Sequence, residues 1–284
     1  MRYLVLHINC PDQRGIIAQF TGILYDHGAN VLNLEQHVEP DEKRFFMRIH
    51  ADLKNMDISE DALHEILMAQ VKKMDAAIQF YYPENCQRMA IFVTKESAPL
   101  YDLLIKHQAG DLPCTISCVI SNRQDLENIA KKFQVPFHHL PVSSVTKDDQ
   151  ERAVCQLMEK ENIDLLVLAR YMQILSCKFV ELYHGRIINI HHGFLPAFKG
   201  KSPYRQAWER GVKMIGATAH YVTENLDEGP IIDQDVVSVS HQHSVNEMVQ
   251  AGRDIERRVL TSAVKAHLEH RIILDGQRTI IFHA

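Results

Sequence analysis

The chain has 284 residues, enough for one large domain or two ordinary ones, and its apolar content of 46% and charged content of 24% are those of a globular protein. Its formal net charge of -5 argues against a broad nucleic-acid footprint, which needs clustered positive charge. No apolar stretch is long enough to span a membrane, Met1 to Cys10 lacks the length and cleavage site of a signal peptide, and the six cysteines show no CxxC pair. A cytoplasmic protein with reduced thiols is expected.

Tyr3 to Asn9 alternates as a strand does, and the turn Cys10 to Gly15 follows. Ile16, Phe20, Ile23 and Leu24 then recur at helical spacing up to a His27-Gly28 cap. Strands are predicted over Asn30 to Val38 and Arg44 to Ala51, a helix over Ile58 to Lys73, and a strand over Ala76 to Tyr82. The order is βαββαβ, the ferredoxin-like unit. Pro83-Glu84-Asn85 reads as a linker, so the first domain is expected over 1–83 and the second over 84–284.

Asp12-Gln13-Arg14-Gly15-Ile16 after the first strand, with Gly28-Ala29-Asn30-Val31 entering the second, resembles an ACT domain. The resemblance implies two things. One is an amino-acid or similar small effector, bound around Asp12, Arg14, Gly15 and Ile16. The other is pairing of sheets between subunits into a homo-oligomer, a dimer or tetramer. The same residues also read as a plain turn, with Gly15 supplying backbone freedom and Asp12 capping the helix.

From Arg88 onward strands and helices alternate. Strands are expected at Arg88 to Lys95, Thr115 to Ser121, Val135 to Leu140, Asp164 to Ala169 and Ile187 to Ile190. Helices fall between them, at Leu100 to His107, Asp125 to Phe133, Asp148 to Glu161 and Ser176 to Tyr183. This alternation predicts a mostly parallel, Rossmann-like sheet covered on both faces. Pro203 to Arg210 is helical, and Lys213 to Thr223 and Pro230 to Ser240 form an antiparallel pair. A long helix runs from Ser244 to His270, with Ser244 and Glu247 forming a capping box. Two short strands, Ile272 to Leu274 and Thr279 to Phe282, close the chain.

The strand Ile187 to Ile190 delivers an amide at Asn189 and an imidazole at His191, on one face by the period of two. Gly193 and Pro196 then begin a loop. The carboxyl end of a buried strand is where open α/β sheets bind ligands. The 17 histidines include His138-His139 and His241-Gln242-His243, but neither group has a third ligand at a metal-site spacing, so no metal is expected.

Three pieces resemble the folate-dependent formyltransferase superfamily: Asn189-Ile190-His191, Met172-Gln173-Ile174-Leu175, and the run His220 to Ile232 containing Asp227. They stand in the superfamily's order, within a span of roughly Met89 to Arg271. The resemblance implies that Asn189, His191 and Asp227 are catalytic. It also implies that Met172, Gln173, Ile174 and Leu175 wrap the pterin ring, with His220 supporting the site. By itself Asp227-Glu228-Gly229 is a common turn composition, and 172–175 reads equally as a capped turn with core residues. Two departures stand out, Gly193 where Ser is usual and Gln173 where Arg is frequent.

An ACT-like segment ahead of this catalytic domain resembles the deformylase branch. That branch hydrolyses 10-formyltetrahydrofolate to tetrahydrofolate and formate, supplying formate for purine synthesis and balancing the one-carbon pool. Folate is then the substrate, and no cofactor is expected. The alternatives are formyl transfer to an amine and a non-catalytic folate or amino-acid sensor. Thr94 to Pro99, after the first strand of the larger segment, has no glycine and carries Glu96, so it makes a poor phosphate cradle. That favours water as acceptor.

Overall fold

A computed structural model describes residues 2–143, 145–197 and 202–283. The chain divides into two compact units. The first holds the residues up to Asn85, Glu269–Asp275 and the residues from Ile280 on. The second holds Cys86–Leu268 and Gly276–Thr279.

In the first unit β1 (Tyr3–Pro11), α1 (Ile16–Asp26), β2 (Asn30–Glu39), β3 (Arg44–Asp52), α2 (Glu60–Lys73) and β4 (Ala77–Tyr81) follow in the βαββαβ order. The sheet order is β2-β3-β1-β4, antiparallel throughout. Ile16, Phe20 and Leu24 of α1 and Leu63, Leu67 and Val71 of α2 are buried in one cluster with Leu4, Leu6 and Ile8 of β1. This is the helical spacing of three to four residues meeting the strand spacing of two.

Two expectations need correction here. Asp12 does not cap α1: the cap position is Gly15, at φ +86, with no side-chain bond, and Asp12 instead donates its N–H to the Lys43 carbonyl at 2.8 Å. The strand runs on through Pro11, leaving only four residues, 12–15, for the turn, and the left-handed Gly15 makes it that tight. The second difference is the chain end. Arg48 donates to the carbonyls of His270 at 2.7 Å and Glu269 at 3.1 Å, and Phe46 packs with Ile273 and Phe282. Glu269–Asp275 and the residues from Ile280 on therefore join the first unit, in a second small cluster around Phe46, and the second domain does not run unbroken to 284.

The second unit contains β5 (Gln87–Val93), α3 (Ala98–Gln108), β6 (Cys114–Ser121), α4 (Glu127–Lys132), β7 (Phe137–His139), α5 (Lys147–Lys160), β8 (Leu165–Leu168), α6 (Cys177–Leu182) and β9 (Ile187–His191). It continues with α7 (Pro203–Glu209), β10 (Met214–Tyr221), β11 (Ile231–Ser238) and α8 (Val245–Leu268); β12 (Ile272–Asp275) and β13 (Arg278–Ile281) then form a two-stranded ribbon. The seven-stranded sheet has the order β11-β10-β9-β8-β5-β6-β7. Strands β5 to β9 are parallel to their neighbours, and β10 and β11 join antiparallel. The chain winds outward from β5 to β7, then restarts at β8 on the other side of β5. That reversal opens a crevice at the carboxyl ends of β5 and β8, where such sheets bind ligands. Among the described residues no helix is long and apolar enough to cross a membrane.

Candidate active site

The site is built outward from β9. Its buried Ile187, Ile188 and Ile190 hold the strand in the sheet, and Asn189 and His191 emerge on one face. Strand β10 lies antiparallel beside it, with His220 opposite Asn189 and Thr218 opposite His191. Directly opposed residues in a sheet share a face, so four polar side chains converge. Asn189 Nδ2 lies 3.1 Å from His220 Nε2, and His220 Nδ1 lies 2.9 Å from the Tyr221 carbonyl. His220 is 2% exposed, so it orients Asn189 from beneath. Thr218 binds the loop that follows His191: its Oγ1 donates to the Gly193 carbonyl at 2.9 Å and accepts from Leu195 N–H at 3.0 Å.

Asp227 comes from the loop between β10 and β11. It is held at φ +56, and its Oδ2 lies 3.2 Å from His191 Nδ1 while its Oδ1 lies 3.8 Å from His220 Nε2. The loop closes through Gly229, where a Cβ would fall 1.8 Å from the Tyr221 carbonyl oxygen. Only a residue without a side chain permits that approach. Burial alone would raise the Asp227 carboxyl, but the His191 ring at 3.2 Å and the His220 ring beside it outweigh that. The net effect holds the group well below the usual carboxylate range. Asp227 is therefore an anion that can hold the imidazole in one orientation. The far nitrogen of His191, Nε2, is buried and has no hydrogen-bond partner among the described residues. A Cβ at Gly193 would lie 2.9 Å from that atom. The glycine at this position leaves the ring its room.

A cavity of about 870 Å³ opens over this face. Asn189, His191, His220 and Asp227 line it, as do Met172, Gln173, Ile174 and Leu175. The 172–175 loop is tied at both ends. Met172 N–H donates to Thr94 Oγ1 at 3.1 Å, and Ser176 N–H donates to Glu151 Oε1 at 2.8 Å. Met172 and Ile174 are left 52% and 66% exposed, so apolar surface faces the opening instead of the core. A half-buried amide, an imidazole with one free nitrogen and a fixed carboxylate beside an apolar slot suit acyl chemistry on a flat, partly apolar substrate.

The chain matches the Formyl transferase family model over residues 87–264 and the ACT domain model over residues 4–67. It is 44% identical to a formyltetrahydrofolate deformylase of Synechocystis over 277 residues, covering 98% of this chain and 97% of that relative. The chain belongs to the formyltetrahydrofolate deformylase family. A crystal structure of a formyltetrahydrofolate deformylase from Pseudomonas syringae pv. tomato superposes with a TM-score of 0.96 at 39% identity, covering 100% of this chain and 95% of that one. Glycinamide ribonucleotide transformylase 1 from Symbiobacterium toebii superposes at 0.66 and 30% identity, covering 72% of this chain and 97% of that one. The deformylase likeness thus runs over the whole chain, while the transformylase likeness stops at about the extent of the second unit.

Of the residues singled out from the sequence, Asn189, His191 and Asp227, the 172–175 loop and His220 all line one cavity. Asp12, Arg14 and Gly15 are exposed on the turn before α1, whereas the Ile16 side chain is 2% exposed and packs in the first unit's core. Among the described residues no group of three or more His, Cys, Asp or Glu side chains is placed to hold a metal. Sequence reasoning missed Thr94, whose hydroxyl sets the start of the 172–175 loop, and Arg170, Tyr204, Arg253 and Glu256, which line the far side of the cavity. Their one local signal was position: Thr94 and Arg170 follow the strands on either side of the reversal.

Proposed function

We propose that Asn189, His191 and Asp227 carry out the hydrolysis of 10-formyltetrahydrofolate to tetrahydrofolate and formate. Water adds its oxygen to the formyl carbon, giving a tetrahedral species with charge on the former carbonyl oxygen. Asn189 donates an amide hydrogen to that oxygen. His191 handles the proton at Nε2, taking it from water and delivering it to the leaving nitrogen as the carbon–nitrogen bond breaks. Asp227 holds Nδ1 and stabilises the imidazolium that forms. The pterin ring enters between the 172–175 loop and the loop carrying Asp227. Gln173 and the backbone there pair with its amide edge, and Met172, Ile174 and Leu175 flank its faces.

The observation that carries this reading is the pairing of His191 Nδ1 with Asp227 at 3.2 Å while Nε2 is left free. That free nitrogen lies in the cavity lined by Asn189 and Asp227, where a substrate can reach it. The six cysteines are all free, which fits a reducing cytoplasm where formate feeds purine synthesis. The ACT unit would regulate the reaction through an amino acid or similar effector at the turn of Asp12, Arg14 and Gly15. The test is formate release from 10-formyltetrahydrofolate by purified protein with no amine present. Release of formate and tetrahydrofolate in equal amounts is expected. Folate binding without release would replace the enzyme by a sensor.

A further inference from the structure

The cavity continues beyond the trio, and there its wall is charged. Arg170, Glu256, Arg253 and Glu96 line it together with Tyr204. Arg170 follows β8 at φ +64, in the left-handed region that glycine favours. Its side chain is 16% exposed, and its Nε and Nη1 are buried with no hydrogen-bond partner among the described residues. Both features disfavour an arginine, and a glycine would remove both. Nη1 lies 3.6 Å from Glu256 Oε2, an ion pair too long to be a hydrogen bond. The other oxygen of Glu256 accepts from Tyr204 Oη at 2.7 Å. Tyr204 reaches that place because residue 252 is glycine: a Cβ there would fall 2.1 Å from Oη. On the same side Arg253 Nη2 donates to Glu96 Oε2 at 3.0 Å. Glu96 stands just ahead of α3, whose N-terminal end would otherwise attract an anion from solution.

The chain's own charges thus line the same cavity as Asn189, His191 and Asp227. The fold does not choose the acceptor, since a protein solved as a transformylase shares it. We propose that Arg170, moored by Glu256 and Tyr204, is the specificity-determining residue that reserves the formyl group for water. The inference rests on the hydrolytic reading above. Its chemistry is a count of lone pairs. Water has two, so it can accept from an Arg170 N–H with one and attack with the other. An amine has a single lone pair and cannot do both, and an ammonium ion has none and is repelled by the guanidinium. The buried, hydrogen-bonded Glu256 keeps the arginine in the cavity.

The test measures how the formyl group partitions between water and glycinamide. Wild-type protein should give formate and tetrahydrofolate alone, and this arm also tests the hydrolytic reading by itself. Arg170→Gly suits the backbone and opens the compartment. In it the amine nitrogen bonds to the formyl carbon, the bond to the folate nitrogen breaks, and an amine proton ends on that nitrogen. N-formylglycinamide should rise at least about tenfold relative to formate, the scale on which pocket contacts discriminate. Glu256→Gln combined with Tyr204→Phe keeps Arg170 but loosens it, and should shift the ratio the same way by less. It also serves as the second variant should Arg170→Gly not fold. An unchanged ratio in the variant that folds would overturn the proposal. Loss of both reactions with folate binding intact would also overturn it, because Arg170 would then serve the chemistry itself.

Discussion

At the scale of single residues, the proposed mechanism separates a group that binds charge from groups that move protons. Asn189 is fixed from beneath by His220, so its amide is aimed before substrate arrives. Asn189→Ala should lower turnover about 100- to 1,000-fold while folate binding persists, because one preorganised oxyanion donor is removed. Steady-state formate release set beside a folate-binding titration checks this. His192 offers a separate handle on pH. Burial, then the charges of Arg170 and His191, lower its pKa from 6.5 to about 3. In the folded protein it is neutral where the unfolded chain takes up a proton. Its contribution to stability is therefore fully present above pH 6.5 and is lost as the pH falls toward about 3. Urea unfolding of His192→Gln should show a shallower fall over that window than wild type, by up to about one proton. Equal slopes in the two proteins would mean that His192 is not held neutral by the fold.

At the scale of elements, the loop between β10 and β11 is the part whose shape the chemistry depends on most. Gly229 brings the chain within contact of the Tyr221 carbonyl, and Asp227 sits two residues before it at a positive φ. Gly229→Ala should cost about 1–3 kcal/mol of stability through overpacking. Activity should fall further than that suggests, since a displacement of about 1 Å can cost about 100-fold in rate. Thermal unfolding and formate release on the same preparation separate the two effects. Normal activity in this variant would show that the loop tolerates a different path. The β9–β10 pairing gives the opposite lesson. The alternation that puts Asn189 and His191 on one face is legible in the strand itself, but which residue lies opposite Asn189 is a matter of register. No local pattern encodes a pairing between segments 31 residues apart.

At the scale of the whole molecule, the chain returns to its beginning. Phe46 of β3 is fully buried with Ile273 and Phe282. Phe46→Ala should cost about 3–5 kcal/mol, the range for emptying a large aromatic site. Chemical denaturation should show the loss, and a cost near zero would mean that the last strands do not belong to the first unit's core. The open sheet of that unit leaves β2 and β4 as edges, with Tyr25 80% and Leu32 49% exposed. Edges and apolar side chains of this kind are usually covered. We expect a dimer or tetramer at micromolar concentration by sedimentation, and a monomer there would count against pairing through this unit.

Every helix and strand of both units could be read from the chain, because hydrophobic period and capping residues act over a few neighbours. Ile16, Phe20 and Leu24 mark one helix face, and Ser244 with Glu247 marks the start of α8 through bonds between residues three apart. Asn189 and His191 were legible as candidates from the period of their own strand, whereas Asp227 by itself reads as a turn and was singled out only through the family resemblance. Three things came only from the tertiary structure. Arg48 claims the carbonyls of residues 269 and 270, which assigns the chain end to the first unit. Asp227 meets His191 across a loop, which leaves Nε2 free. Arg170 meets Glu256 of α8, which Tyr204 of α7 holds in turn, and this puts charge in the cavity wall. Each of these is a contact between segments remote in the chain. Its energy depends on distance and burial, which have no signature in a local run of residues.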